Sequence, residues 1–129
     1  MQPACIFQPT SAKNVSAAVS VLATAKHAKY FGCQFAIRSG GHTPWAGAAN
    51  QQDGVTIDMS NMSNMNSVTV NTAANTVSVG PGNRWVDIYT YLEQLGLSTS
   101  GGRDASVGVG GLTLGGITTL HIFSTLGAY

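Results

Sequence analysis

Charge is what this chain has least of. Only 9% of its 129 residues are charged, six basic and five acidic, for a formal net charge of +1. The basic residues are scattered from Lys13 to Arg103 and form no stripe, so no nucleic-acid partner is expected. With hydrophobic residues at 43%, the low charge also excludes a disordered charged polymer. It suggests surfaces meant to be covered by a cofactor, another domain or a partner. The length allows one domain with a real core and not two. Cysteine is scarce too: Cys5 and Cys33 flank an expected helix, and one disulfide or none is compatible with that placement.

Long hydrophobic runs are missing as well. The stretch 105–129 carries no formal charge, but glycines and hydroxyl residues interrupt it before it reaches the roughly 20 apolar residues of a bilayer span. It reads as buried loop and short elements, and no membrane association is expected. Met1 to Cys5 has neither a charged nor an apolar segment of the kind that opens a signal peptide, so none is expected. The sequons at Asn14-Val15-Ser16 and Asn61-Met62-Ser63 matter only for a secreted chain. Recognised chemical signatures are likewise absent. There is no Walker A loop, and Gly108-Val109-Gly110-Gly111-Leu112-Thr113 puts threonine where a Rossmann fingerprint needs its last glycine. His27, His42, His121 and the cysteines lack metal-ligand spacing, so no metal is expected, and Ser39 and Ser106 lack a nucleophile-elbow setting.

What is present is glycine, 16 residues concentrated in 40–54 and 101–116, where backbone must bend sharply or approach something closely. Ahead of the first patch, Cys5-Ile6-Phe7 reads as a short strand. Ser11 can cap a helix whose Val15, Val19 and Leu22 recur at helical spacing, with Lys26 and Lys29 in its last turns and Gly32 as its stop. Phe35-Ala36-Ile37 follows as a second strand, completing a βαβ unit. Val55–Asp58, Ser67–Asn71 and Thr76–Val79 then read as a meander of short strands. The tandem Ser60-Asn61-Met62-Ser63-Asn64-Met65 lengthens a loop between the first two. A second helix is expected over 84–95, with Trp85, Ile88, Leu92 and Leu95 as its apolar stripe and Gly96 as its end. The expected fold class is α+β: a βαβ unit followed by a small, mostly antiparallel sheet with a second helix.

Ile37-Arg38-Ser39-Gly40-Gly41-His42-Thr43 is where chemistry concentrates. A buried strand runs into a Gly-Gly turn flanked by a cation, two hydroxyls and an imidazole. Successive N–H groups at Gly40 and Gly41 can converge on an anion such as a pyrophosphate, with Arg38, Ser39 and Thr43 adding charge and donors. On local residues alone, a plain strand-ending turn with a surface histidine is the slightly favoured reading. Asp58 and Asp87 read as capping or solvated, His27 as a polar helix residue, and Trp85 as packing for the second helix. Trp45, just after the loop, stays open.

The motifs Phe35 to Thr43, Gly54 to Asp58, Val77 to Trp85 and Gly101 to Gly116, in this order, resemble FAD-linked oxidoreductases of the berberine-bridge-enzyme-like group. These belong to the wider vanillyl-alcohol-oxidase, or PCMH-type FAD-binding, family, and the likeness is closest to fungal members. It covers residues 3–116, which implies the N-terminal portion of a PCMH-type FAD-binding domain. The resemblance implies that Arg38, Ser39, Gly40, Gly41, His42 and Thr43 wrap the FAD pyrophosphate. It implies a second lining stretch that includes Gly102, Ser106, Val107, Gly108, Gly110 and Gly111. His42 stands where the family bonds a histidine ring nitrogen to the flavin 8α-methyl carbon. Some members add a cysteine link just before the second stretch. Asp104 occupies that position here, so any covalent link is expected to be single.

After Gly116 the residues depart from the family pattern, and 117–129 reads as a truncation or frame error. The second half of the FAD domain, the substrate domain and the usual secretory region are not represented. The implied function is the FAD-binding part of an oxidoreductase. Such an enzyme would oxidise an alcohol, a carbohydrate or a secondary metabolite by hydride transfer to flavin, with oxygen as acceptor and a small-molecule substrate held only by a full-length relative. The isolated chain is expected to be inactive, because nothing in it positions a substrate. The alternative is a non-catalytic remnant or binding module without stable FAD. Family habit and the sequons point to secretion and the N-terminus does not, so localisation stays open.

Overall fold

The computed structural model describes residues 1–24, 33–63 and 67–116. Strands β1 (Cys5–Phe7), β2 (Phe35–Arg38) and β3 (Val55–Asp58) make one parallel sheet in the order β1-β3-β2. Strands β4 (Val68–Asn71) and β5 (Thr76–Val79) pair as an antiparallel hairpin. The α+β class is as the residues imply, a βαβ unit followed by a small antiparallel sheet. One strand corrects the pattern reading, however. Val55–Asp58 does not open the meander; it lies between β1 and β2, parallel to both. Its alternation of Val, Thr, Ile and Asp mimics a half-exposed strand, but Thr56, Ile57 and Asp58 are all buried. The polar side chains tolerate this because each has a partner: the Thr56 hydroxyl donates to Asn50 Oδ1 at 2.7 Å, and Asp58 accepts from Arg38 at 3.0 Å.

Between β1 and β2 runs helix α1 (Ala12–Thr24), capped as expected, with the Asn14 N–H donating to the Ser11 hydroxyl at 3.2 Å. Val15, Ala18, Val19 and Leu22 are its half-buried positions, which matches the helical spacing, though none of its side chains is fully buried. The expected stop at Gly32, with Lys26, His27 and Lys29, lies outside the described residues. So do Asn64 and Met65 of the tandem repeat and the tail from Ile117 with His121. The first part of the repeat is no mere spacer: Met59–Met62 forms a 3-10 turn whose Ser60 N–H is capped by Asp58 Oδ1 at 3.1 Å.

Helix α2 (Trp85–Gln94) packs on the hairpin. Trp85, Ile88 and Leu92 are buried together with Val68 and Val109, and Val70, Val77, Val79 and Tyr89 close around them. Burying a side chain such as Ile88 completely contributes on the order of 2 kcal/mol. The stripe stops one turn earlier than its spacing suggests: Leu95 is 51% exposed and is the helix cap. There Gly96 and Leu97 N–H groups turn back to the carbonyls of Glu93 (3.0 Å) and Leu92 (2.9 Å), a Schellman closure. Among its described residues, the Gly-rich stretch after Gly96 contains one helix, α3 (Val109–Gly115), which its glycine content disfavours. Tertiary contacts hold it. The Val109 N–H donates to the Asn83 carbonyl at 2.9 Å, the Gly110 N–H to the Ser39 hydroxyl at 3.2 Å, and Val109 and Leu112 join the core. Cys5 and Cys33 are free thiols, both exposed. Among the described residues no helix is long and apolar enough to cross a membrane.

Candidate functional site

Two loops far apart in sequence meet back to back. The first leaves β2 at Arg38, and the second precedes α3. A Cβ placed on Gly40 would overlap the backbone nitrogen of Gly108, and one on Gly108 would overlap that of Gly40. Only two residues without side chains allow this approach. Ser39 locks the junction: its hydroxyl donates to the Pro81 carbonyl and accepts the Gly110 N–H. Gly41 turns the first loop outward at φ 67, a left-handed conformation that brings His42 to the surface.

Arg38 anchors the base of the first loop through its 3.0 Å ion pair with Asp58. Burial would raise the Asp58 carboxyl, but the Arg38 guanidinium and the Ser60 backbone and hydroxyl outweigh it and hold the group below its ordinary range. Asp58 therefore stays charged and Arg38 stays fixed. The Thr43 hydroxyl accepts the Trp45 N–H at 3.3 Å, shaping the loop's exit, and Trp45 itself is 80% exposed. Among the described residues, the N–H groups of Gly40, Gly41 and His42 have no protein acceptor. Those unpartnered donors, in a turn with a fixed cation at its base, fit the oxygens of a pyrophosphate.

The second loop is carried by the start of α2. The Trp85 and Val86 N–H groups, which have no partner within their own helix, donate to the carbonyls of Val107 (3.1 Å) and Ala105 (3.1 Å). Asp87 accepts the Arg84 N–H at 3.3 Å, completing the cap expected of it, and the Arg84 guanidinium reaches the Ser106 carbonyl. The Ser106 N–H and hydroxyl both go to Asp104 Oδ1, at 2.8 and 2.6 Å. The other carboxylate oxygen, Oδ2, lies 3.8 Å from His42 Nε2. The Ser106 hydroxyl and N–H, with a smaller contribution from His42, hold the Asp104 carboxyl below its ordinary range.

Most residues read from the sequence thus fall at this junction: Arg38, Ser39, Gly40, Gly41, His42 and Thr43 on one side, and Ser106, Val107, Gly108 and Gly110 on the other. Gly111 is exposed, with open space where a side chain would stand. Gly102 lies apart. It is buried under the Trp85 indole, where a Cβ would come within 2.6 Å of the ring, and its carbonyl accepts the Tyr89 hydroxyl at 2.8 Å. The Trp85 Nε1 is buried without a partner. Sequence reasoning missed Asn83. It is buried, and its amide donates to the Ser67 hydroxyl (2.7 Å) and the Gly80 carbonyl (2.9 Å) while its backbone carbonyl receives α3. One residue so joins hairpin, α2 and α3. Its only sequence signal was a polar residue between Gly-Pro-Gly and an apolar helix. His42 lies outside two surface depressions, one beside Val70 and Leu92 and one beside Tyr89 and Arg103, and its own loop is exposed from Gly41 to Ala46.

A parallel βαβ sheet, an antiparallel hairpin and two glycine loops packed back to back make an α+β domain of the FAD-binding class. The comparisons agree. The FAD binding domain family model matches residues 3–124, and the chain belongs to that family. It is 42% identical over 121 residues to the FAD-dependent monooxygenase sdcF of Emericella nidulans, covering 94% of this chain and 24% of that protein. To the FAD-dependent monooxygenase drtC of Aspergillus calidoustus it is 44% identical over 121 residues, 94% of this chain and 22% of that protein. Its fold matches 6-hydroxy-D-nicotine oxidase of Arthrobacter nicotinovorans with a TM-score of 0.71 at 25% identity, over 84% of this chain and 22% of that one. A further match is CrmK, a flavoenzyme of caerulomycin biosynthesis, with a TM-score of 0.61 at 28% identity, covering 80% of this chain and 19% of that one. The chain therefore spans less than a quarter of the length of these relatives.

Proposed function

We propose that the glycine junction cradles the FAD pyrophosphate, that His42 carries the flavin through a single covalent bond, and that the chain is the FAD-binding part of an oxygen-using oxidoreductase. The observation that carries this reading is the contact of Gly40 with Gly108, which sets an exposed histidine beside a tight glycine turn with unpartnered N–H groups. Gly40, Gly41 and His42 N–H groups donate to phosphate oxygens, Arg38 contributes positive charge at the base of the loop, and Gly111 has open space where a side chain would stand. Bound FAD supplies a two-electron acceptor for hydride. Oxidation of an alcohol, a carbohydrate or a secondary metabolite is the reaction class. Oxygen as acceptor draws support from relatives named monooxygenase and oxidase. His42 stands half in solvent, its side chain 50% exposed, so the described residues supply no water-excluding wall around it for turnover. We also place the FAD-binding portion at residues 3–116.

Expressing the chain with FAD and precipitating it with acid tests the attachment. Wild type should keep yellow colour and flavin fluorescence in the pellet, and His42→Ala should lose both. Colourless wild-type protein under every loading condition would overturn the proposal.

A further inference from the structure

We propose that Asp104 is a positioning residue for flavin attachment, its carboxylate orienting the His42 imidazole and balancing the positive charge the ring acquires as its bond to the flavin forms. This rests on the reading of His42 as the attachment residue. The two oxygens of Asp104 are divided between separate tasks. Oδ1 is taken by the Ser106 N–H (2.8 Å) and hydroxyl (2.6 Å), while Oδ2 faces His42 Nε2 at 3.8 Å. Ser106 is in turn fixed by the Arg84 guanidinium on its carbonyl, and the carbonyls flanking it cap α2. The carboxylate is thus held by the helix start, although its side chain is 59% exposed. Among the described residues His42 has no other ion-pair partner. Of the other charged groups on these loops, Arg38 is held by Asp58, Arg84 turns to Ser106, and Arg103 neighbours Asp104 in the chain.

A pair this exposed is weak in water, and it strengthens wherever water is displaced from it. At 3.8 Å the pair is longer than a hydrogen bond; closed to hydrogen-bond length it would direct the Nε2 proton at Oδ2 and leave the Nδ1 lone pair free as the atom that bonds. That lone pair forms the new C–N bond to the 8α carbon as one C–H bond of the methyl group breaks. The C–H electron pair passes into the flavin ring, and from there to dioxygen. The methyl proton and the Nε2 proton leave with it, so dioxygen is reduced to hydrogen peroxide. While the ring is briefly cationic, Asp104 is the anion beside it.

Asp104→Asn removes the charge but keeps an Oδ1 acceptor for Ser106, so the loop is retained. In the protein prepared without FAD, the Asp104 carboxyl is titrated by carbon NMR in wild type and His42→Ala. The midpoint should move upward when the imidazolium is removed, and an unchanged midpoint would overturn the pairing. FAD is then added, and acid-stable flavin is followed with time. Asp104→Asn should acquire it more slowly by on the order of tenfold, less than the loss of a direct general base. Asp104→Glu should recover much of the rate. Equal rates in wild type and Asp104→Asn, with attachment still dependent on His42, overturn this inference alone. Acid-stable flavin in His42→Ala, or none in wild type, overturns the reading beneath it.

Discussion

Asp58 gathers three donors on one buried carboxylate: the Arg38 guanidinium at 3.0 Å, the Gln8 amide at 3.3 Å and the Ser60 N–H at 3.1 Å. It ties β1, β2 and the 3-10 turn to the end of the central strand, directly beneath the loop that carries His42. Asp58→Asn should cost about 1–3 kcal/mol near neutral pH, since it weakens charge-assisted hydrogen bonds and leaves Arg38 without its anion. The pH dependence has a definite sign. The folded-state carboxyl is held below its unfolded value, so its stabilisation is complete above the unfolded value and is lost as pH falls through the folded one. Urea unfolding of both proteins across pH should show a wide gap at pH 7 that closes through the acid range. A gap of constant size would contradict this assignment. Asp58 was readable from the sequence as a capping residue, but its pairing with Arg38 was not, because the two are 20 positions apart and meet only through strand register.

The glycine junction belongs to the scale of elements. Gly108 has Gly40 against it where a side chain would project, so even a methyl group must push the two loops apart. Gly108→Ala should therefore destabilise the chain by about 1–3 kcal/mol, the usual penalty for overpacking. It should also abolish FAD retention on gel filtration, where Gly115→Ala, facing open space and outside the cradle, should not. Equal retention by the two variants would detach the junction from cofactor binding. The glycine patches were legible as places of close approach; that each patch approaches the other was not. Strand β3 shows the same limit. Its residue pattern suited a meander, and only the partners found by Thr56 and Asp58 made a central parallel position affordable. Helix α3 was hidden for a related reason, since its start is held by Asn83 and Ser39 from other parts of the chain.

For the whole molecule, the exposed His42 predicts cofactor holding without turnover. FAD-loaded chain offered primary alcohols or sugars in air should release no more hydrogen peroxide than free FAD. Sustained, substrate-dependent peroxide release would show that the chain supplies a complete active site. Family membership, the α+β class, α1 with its Ser11 cap and most of α2 were determined by the sequence by itself. These rest on local signals: helical spacing, capping residues, and glycines at set places along the chain. The order of the parallel sheet, the meeting of Gly40 with Gly108, the burial of Gly102 beneath Trp85 and the nearness of Asp104 to His42 were decided only by the tertiary structure. Each is a contact between residues remote in the chain. Such contacts depend on how strands register and loops pack in space, which no local spacing encodes.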